Sequence, residues 1–415
     1  MKKHKQDAPA SALRSLRLTM AESAVTAGLL AMSVFTPFFN SIGLNNQQIS
    51  EVQIYFTIVL ILLNVPMGYI ADRLSRKWAN IIGDFAHAVI LLAYSQVAGF
   101  AGAVICECIC GVASALSDGV DQSLIKHFVG KISQSTGESE TKLLKSKTAK
   151  LEIYKQICNL VLLTLGGPIG AISLRLAIAL SAVNYFVGGV ISIFIKDDSE
   201  KLRPEHKNPL KDIARVTKST MRNKPLRLRI FTYAVGREMT HGIIWIATPI
   251  FLKAGVPMEL VSFAWAFNAL MCIVGAKLAA IYGKKLSDAQ VMVVPVVLMS
   301  ISMLVMGFNL NIFTVWLYSA MGITQGWTAA TLTPMVQKQA KPAEQTSVLS
   351  ITKTLAQLLY IPVVWIVGYV ADIKLEYGLF VTVVIFLPLS LIIIKKLKQD
   401  VWFVCPGLVP GHFLC

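Results

Sequence analysis

Long apolar runs separated by short polar turns dominate the chain. The runs read at about 18–43, 50–71, 79–99, 101–125, 150–172, 175–195, 227–253, 258–282, 289–307, 311–333, 346–371 and 377–396. Each is near the roughly 20 residues that a helix needs to cross a bilayer. Segments this apolar satisfy their backbone groups in lipid by forming helices. The pattern therefore predicts an all-α membrane protein with twelve transmembrane helices. The widest gap, 196–226, divides the runs six and six. This predicts two six-helix bundles, 18–195 and 227–396, joined by a cytoplasmic linker at 196–226 and flanked by tails at 1–17 and 397–415. The first run is too long for the apolar part of a signal peptide, so it is read as a retained span.

Composition agrees with the pattern. Of 415 residues 55% are hydrophobic and 15% charged, with mean hydropathy +0.62. A soluble domain would carry about a quarter charged residues. The net charge of +16 invites a nucleic-acid partner, but the placement of the cations argues otherwise. Of 39 Lys and Arg, 32 fall in the two tails and in the turns on one side of the runs. Only Arg175, Lys253 and Lys374 fall in turns on the other side, and Lys155, Arg237, Lys277 and Lys353 lie within runs. This asymmetry predicts both termini in the cytoplasm, as in a bacterial inner membrane protein. Anionic lipid, and no nucleic acid, is the expected partner of the excess charge.

Ionisable groups within spans are costly and need a reason. Lys277 and Lys353 lie near the cytoplasmic ends of their runs and are read as snorkelling. Glu107, Glu238 and Glu22 are the candidates for proton coupling, because a carboxylate moving between water and a low-dielectric cavity can exchange a proton near neutral pH. Glu107 ranks first, having no cation nearby in sequence; Arg237 adjoins Glu238, though successive helical side chains point about 100° apart. Arg237 and His241 share a helical face. With Gln325, Trp327 and Thr328, beside Thr324, they are the candidates for binding an organic solute. Cys106, Cys108 and Cys110 suggest a metal cluster, but only 106 and 110 share a face, so no metal or cofactor is expected. Walker A, His-Glu-x-x-His and Gly-x-Ser-x-Gly patterns are absent from the sequence, which leaves an ATP-driven pump or a membrane hydrolase without support. No enzyme is expected.

One turn is densely charged: Gly68-Tyr69-Ile70-Ala71-Asp72-Arg73-Leu74-Ser75-Arg76-Lys77. It resembles the loop between helices 2 and 3 of the major facilitator superfamily, Gly-x-x-x-Asp-Arg-x-Gly-Arg-Arg/Lys. Gly68, Asp72, Arg73, Arg76 and Lys77 match, and Ser75 replaces the second glycine. The resemblance covers about residues 15–398. It implies a 6+6 fold with alternating access, in which spans 1, 4, 7 and 10 line the solute path and span 3, with Asp84 and His87, is peripheral. It also implies a conformational latch of Gly68, Asp72, Arg73, Arg76, Lys77 and Asp121, with Asp121 paired to Arg73 and Asp72 facing the start of helix 11.

Gly166-Gly167-Pro168-Ile169-Gly170-Ala171 resembles the Gly-Pro-x-x-Gly-Gly motif of drug–proton antiporters, without its last glycine. The Glu-x-x-Glu-Arg signature of peptide–proton symporters is missing. The function expected from these resemblances is proton-coupled export of a small organic compound, a drug or peptide-like antibiotic, by a monomer. The alternatives are proton-coupled uptake of a metabolite, and a non-transporting membrane sensor signalling through the 126–149 loop and the linker. That loop is expected to be solvated or to hold a short surface helix. Residues 401–415, without formal charge, read as a disordered or non-native tail.

Overall fold

The computed structural model describes residues 4–28, 30–196, 209–340 and 345–404. Among them the chain is helical throughout, with no strand. It divides into two compact units, Met1–Lys207 with Val256–Ala266, and Asn208–Gly255 with Phe267–Cys415.

The first unit contains α1 (His4–Thr26), a 3-10 turn at Leu30–Ser33, α2 (Phe35–Ser41), α3 (Asn46–Leu74), α4 (Arg76–Tyr94), α5 (Gly99–Ser117), α6 (Val120–Thr136), α7 (Glu140–Ile172) and α8 (Leu174–Ile193). Its main packings are α4 on α8, α3 on α5, and α1 against α6, α7 and α8. The second unit contains α9 (Pro209–Arg222), α10 (Lys224–His241), a 3-10 turn at Ile244–Ile246, α11 (Ala247–Lys253), most of α12 (Met258–Tyr282), α13 (Asp288–Phe308), α14 (Ser319–Gln339), α15 (Gln345–Ile373) and α16 (Leu375–Val404). There α10 packs on α14, α15 and α16, and α13 packs on α14 and α16.

Each predicted run falls on helix. Seven helical stretches of the described residues are long and apolar enough to cross a membrane, or eight if the bent pair spanning residues 10–41 counts as one. Outward-facing apolar side chains such as Leu62, Val89 and Val384 stay 67%, 67% and 69% exposed, as a lipid-facing surface requires.

Three features differ from the sequence expectation. The 126–149 loop is mostly helix: α6 runs on to Thr136 and α7 begins at Glu140, with Gly137 in a left-handed conformation (φ +76°) making the break. The stretch from Ser139 reads as solvated because its charges alternate, yet the same residues are good helix formers. The linker contains α9, whose basic and apolar residues segregate to opposite faces. The tail continues α16 as far as Val404, and residues 405–415 lie outside the described set.

Candidate functional site

The first predicted span of each half is interrupted. In the first unit α1 stops at Thr26, and the chain resumes through the 3-10 turn before bending 47° into α2. Gly28 lies in the gap, and the Asn184 side chain of α8 donates to its carbonyl at 2.9 Å. A backbone group freed by the break thus regains a partner from a neighbouring helix. In the second unit α10 stops at His241, and Gly242 leads through a 3-10 turn into α11. Broken helices at corresponding places in two halves are a strong pointer to a transport site. Gly28 and Gly242 were the available sequence signals, though glycine is common enough in spans to pass unnoticed.

A buried glutamate stands one turn before each break. Glu22 on α1 is 3% exposed. Thr26 donates to its Oε1 at 3.4 Å, and its Oε2 has no partner among the described residues. Asp84 of α4 lies nearby, on the other side of Gly188 from Thr26. Asp84 is 5% exposed, and its Oδ2 also lacks a partner. Gly188 of α8 permits this approach: a Cβ there would collide with Thr26 Cγ2 and lie 3.2 Å from Asp84 Oδ2. Among the described residues neither acid makes an ion pair. The resemblance placed Asp84 in a peripheral, structural span, but the packing brings it to Glu22. His87, by contrast, is anchored by the Gly83 carbonyl at 2.8 Å and Ser114 at 3.1 Å, as a structural histidine would be.

Asp121 sits in the first turn of α6. Its Oδ2 accepts from Ser23 at 2.7 Å and Lys155 at 3.0 Å, and its Oδ1 accepts from the Gln122 amide at 2.7 Å. Among the described residues its ion-pair partner is Lys155 of α7; the expected partner, Arg73, lies outside them. The side chains at Gly68, Asp72 and Arg73 lie outside the described residues. Arg76 and Lys77 open α4, and the Lys77 ammonium donates to the Ile193 carbonyl at 2.6 Å. Glu107 on α5 is half-buried, with the side chains of Gln53 and Tyr94 near its carboxylate.

In the second unit Glu238 is 0% exposed. Arg237 pairs with its Oε1 at 2.6 Å, while Oε2 has no partner among the described residues. The angular separation expected between neighbouring positions does not keep them apart, because the long guanidinium stem curls back. His241 Nδ1 lies 2.9 Å from the Arg237 carbonyl. Trp327 is 4% exposed and its indole donates to the Val291 carbonyl at 2.9 Å, pinning α14 to α13. Thr328 donates to the Gln325 carbonyl at 3.1 Å, and Thr324 is buried with its hydroxyl unpartnered among the described residues. Sequence reasoning missed Trp245 in the 3-10 turn after the α10 break, whose indole donates to the Tyr360 hydroxyl of α15 at 2.8 Å.

The glycines of the antiporter-like run serve close packing. A Cβ at Gly166 would strike the Leu30 carbonyl, and one at Gly170 would strike Val34. No group of three or more His, Cys, Asp or Glu among the described residues could hold a metal.

The sequence profile of the Major Facilitator Superfamily matches residues 156–363. No curated protein matches the sequence. Solved structures do. The nucleoside transporter NupG is 14% identical over 94% of this chain and 98% of its own, with TM-score 0.73. A bacterial homologue of the human lysosomal transporter Spinster, inward-facing and unoccupied, is 11% identical over 99% and 100%, with TM-score 0.71. A D-xylose–proton symporter is 13% identical over 93% and 96%, with TM-score 0.65. At these identities the likeness is one of fold.

Proposed function

Because the chain belongs to the Major Facilitator Superfamily, and is therefore a membrane transporter and not an enzyme, we propose that it carries a small organic solute coupled to protons. Two six-helix bundles of twelve spans, both termini cytoplasmic, would alternate access to the solute by rocking. The observation that carries this reading is Glu22 with Asp84 nearby, two buried carboxylates beside a helix break with no cation bound to either among the described residues. Two such groups cannot both hold their charge cheaply, so one proton shared between them is the economical state. Its uptake and release would follow the exposure of the break to either side. Glu107 is a second proton-coupling candidate.

In the second half Arg237, Glu238 and His241 would recognise the solute, with Gln325 and Thr328 on α14. Arg237 offers a forked donor suited to hydroxyl, carbonyl or carboxylate groups. The export reading leaned on the Gly-Pro run, which packing accounts for. Uptake of a polar metabolite draws support from the nucleoside transporter and the D-xylose–proton symporter among the similar folds. The test is flux in reconstituted vesicles with an imposed pH gradient, using nucleosides, sugars and toxic drugs as solutes. Accumulation on the alkaline side supports uptake by symport, and accumulation on the acidic side supports export by antiport. Absence of gradient-driven flux for the whole panel favours the sensor.

A further inference from the structure

Where α1 and α4 begin and α8 ends, the first unit encloses an open pocket of about 860 Å³. Three cations line it, Arg14, Lys77 and Lys196, and no carboxylate does so among the described residues. Arg14 and Lys196 are exposed and make no ion pair among those residues. Their positions are nonetheless fixed. Ser15 donates to the Lys196 carbonyl at 3.4 Å and accepts from its amide at 3.2 Å, which staples the end of α8 to α1. Lys77 is held by its bond to the Ile193 carbonyl.

Besides Ser11, Ser15 and Ser75, the rest of the wall is apolar and most of its large side chains are open. Trp78, Ile193 and Phe194 line the same pocket and are 55%, 49% and 59% exposed. A basic floor beside an apolar wall has two different requirements. A free phosphate would meet the cations and leave three large apolar side chains in water, at a cost that grows with their area. A phospholipid meets both, with its phosphate on the cations and its glycerol and upper acyl segments against the ring and the aliphatic groups. The location fits as well. Arg14 lies just before the first apolar run, Lys77 is the second residue of α4, and Lys196 is three residues past α8. This is the depth of the headgroup region, where tryptophan is also enriched.

We propose that this pocket is a binding site for one anionic phospholipid, formed by Arg14, Lys77 and Lys196 with Trp78, Ile193 and Phe194. The bound lipid would bridge α1, α4 and α8, the helices that carry Glu22, Asp84 and Gly188 about two turns deeper. The site does not depend on which solute is carried or in which direction.

The test uses the full chain in phosphatidylcholine vesicles doped with lipid brominated on its acyl chains, which quenches nearby tryptophan. Subtracting the signal of Trp78→Phe isolates the contribution of Trp78. Brominated phosphatidylglycerol should half-quench Trp78 at a mole fraction well below that needed with brominated phosphatidylcholine. Arg14→Gln and Lys196→Gln should each raise that fraction about fivefold, the effect of one interfacial cation. Raising the salt concentration should erode the wild-type preference, a readout that needs no folded variant. A control, Lys285→Gln with Lys338→Gln in the second unit, should leave the fraction unchanged. Equal quenching by the two lipids, an equal shift in the control, or no response to salt would overturn the proposal. Competition by soluble glycerol phosphate would overturn it in favour of an anion site without lipid.

Discussion

The two halves place the same residue at the same kind of position and treat it differently. Glu22 precedes the break in α1 and Glu238 precedes the break in α10, both essentially inaccessible to solvent. Glu238 has a guanidinium on it at 2.6 Å. Glu22 has a threonine hydroxyl and a second unpaired carboxylate, Asp84. A buried carboxylate paired with a cation keeps its charge at lower cost than one with a second carboxylate nearby. On the function proposed above, coupling would belong to the first half and solute recognition to the second.

Transport assays give the sharpest way to break that division. Glu22→Gln fixes the first site in a neutral form, so gradient-driven accumulation should be lost while downhill solute exchange continues. Glu238→Gln should retain accumulation at saturating solute and chiefly raise the solute concentration required. Counterflow and pH-driven uptake in the same vesicle preparations separate the two outcomes. Accumulation by Glu22→Gln at the wild-type level would end the assignment.

Stability offers the next contrast. Arg237→Met leaves Glu238 buried and unpaired, and should cost about 3 kcal/mol, somewhat reduced by the partial exposure of the arginine. Adding Glu238→Gln should recover most of the loss. Asp84→Asn removes one of two crowded charges and should stay within about 0.5 kcal/mol of wild type or gain stability. Unfolding midpoints in detergent measure all three variants. Lys155→Met falls between these, at about 1–2 kcal/mol, since Asp121 keeps Ser23, the Gln122 amide and the favourable start of α6.

What the sequence reveals follows from how local each feature is. The spans are legible because twenty apolar residues in a row have few other uses. Arg237, Glu238 and His241 stand out because they interrupt such a run. Lys155 carried the same signal, an intramembrane cation that demands an acid, but its partner Asp121 lies 34 positions away and only packing identifies it. Asp84 was set aside because its approach to α1 depends on α8 packing against both α1 and α4, a tertiary fact with no local mark. Trp327 shows the same limit: an aromatic among threonines reads as a binding stripe, and its bond to the Val291 carbonyl is visible only in the packing. The helix in the linker was obscured by charge, although residues 211, 215, 218 and 222 fall on one stripe and are all basic.

A further small effect lies at the turn where this chain departs from its superfamily pattern. Ser75 stands where that pattern has glycine, and its backbone sits at φ +130°, the only positive φ of a described residue other than glycine. A side chain there costs roughly 1–3 kcal/mol. Its return is small, a cap bond from the Trp78 amide at 3.4 Å. The second half repeats the turn with Ser287, but at φ −68° and with a full capping box, in which Ser287 accepts from the Gln290 amide and Gln290 Oε1 accepts from the Ser287 amide. The same substitution should therefore have opposite signs in the two halves. Ser75→Gly relieves the backbone and loses only a weak cap, a gain of about 1 kcal/mol. Ser287→Gly relieves nothing and dismantles the box, a loss of about 0.5 kcal/mol. Paired unfolding curves of the two variants decide the matter. If both variants lose stability, the positive φ at Ser75 carries no strain and the two turns are equivalent.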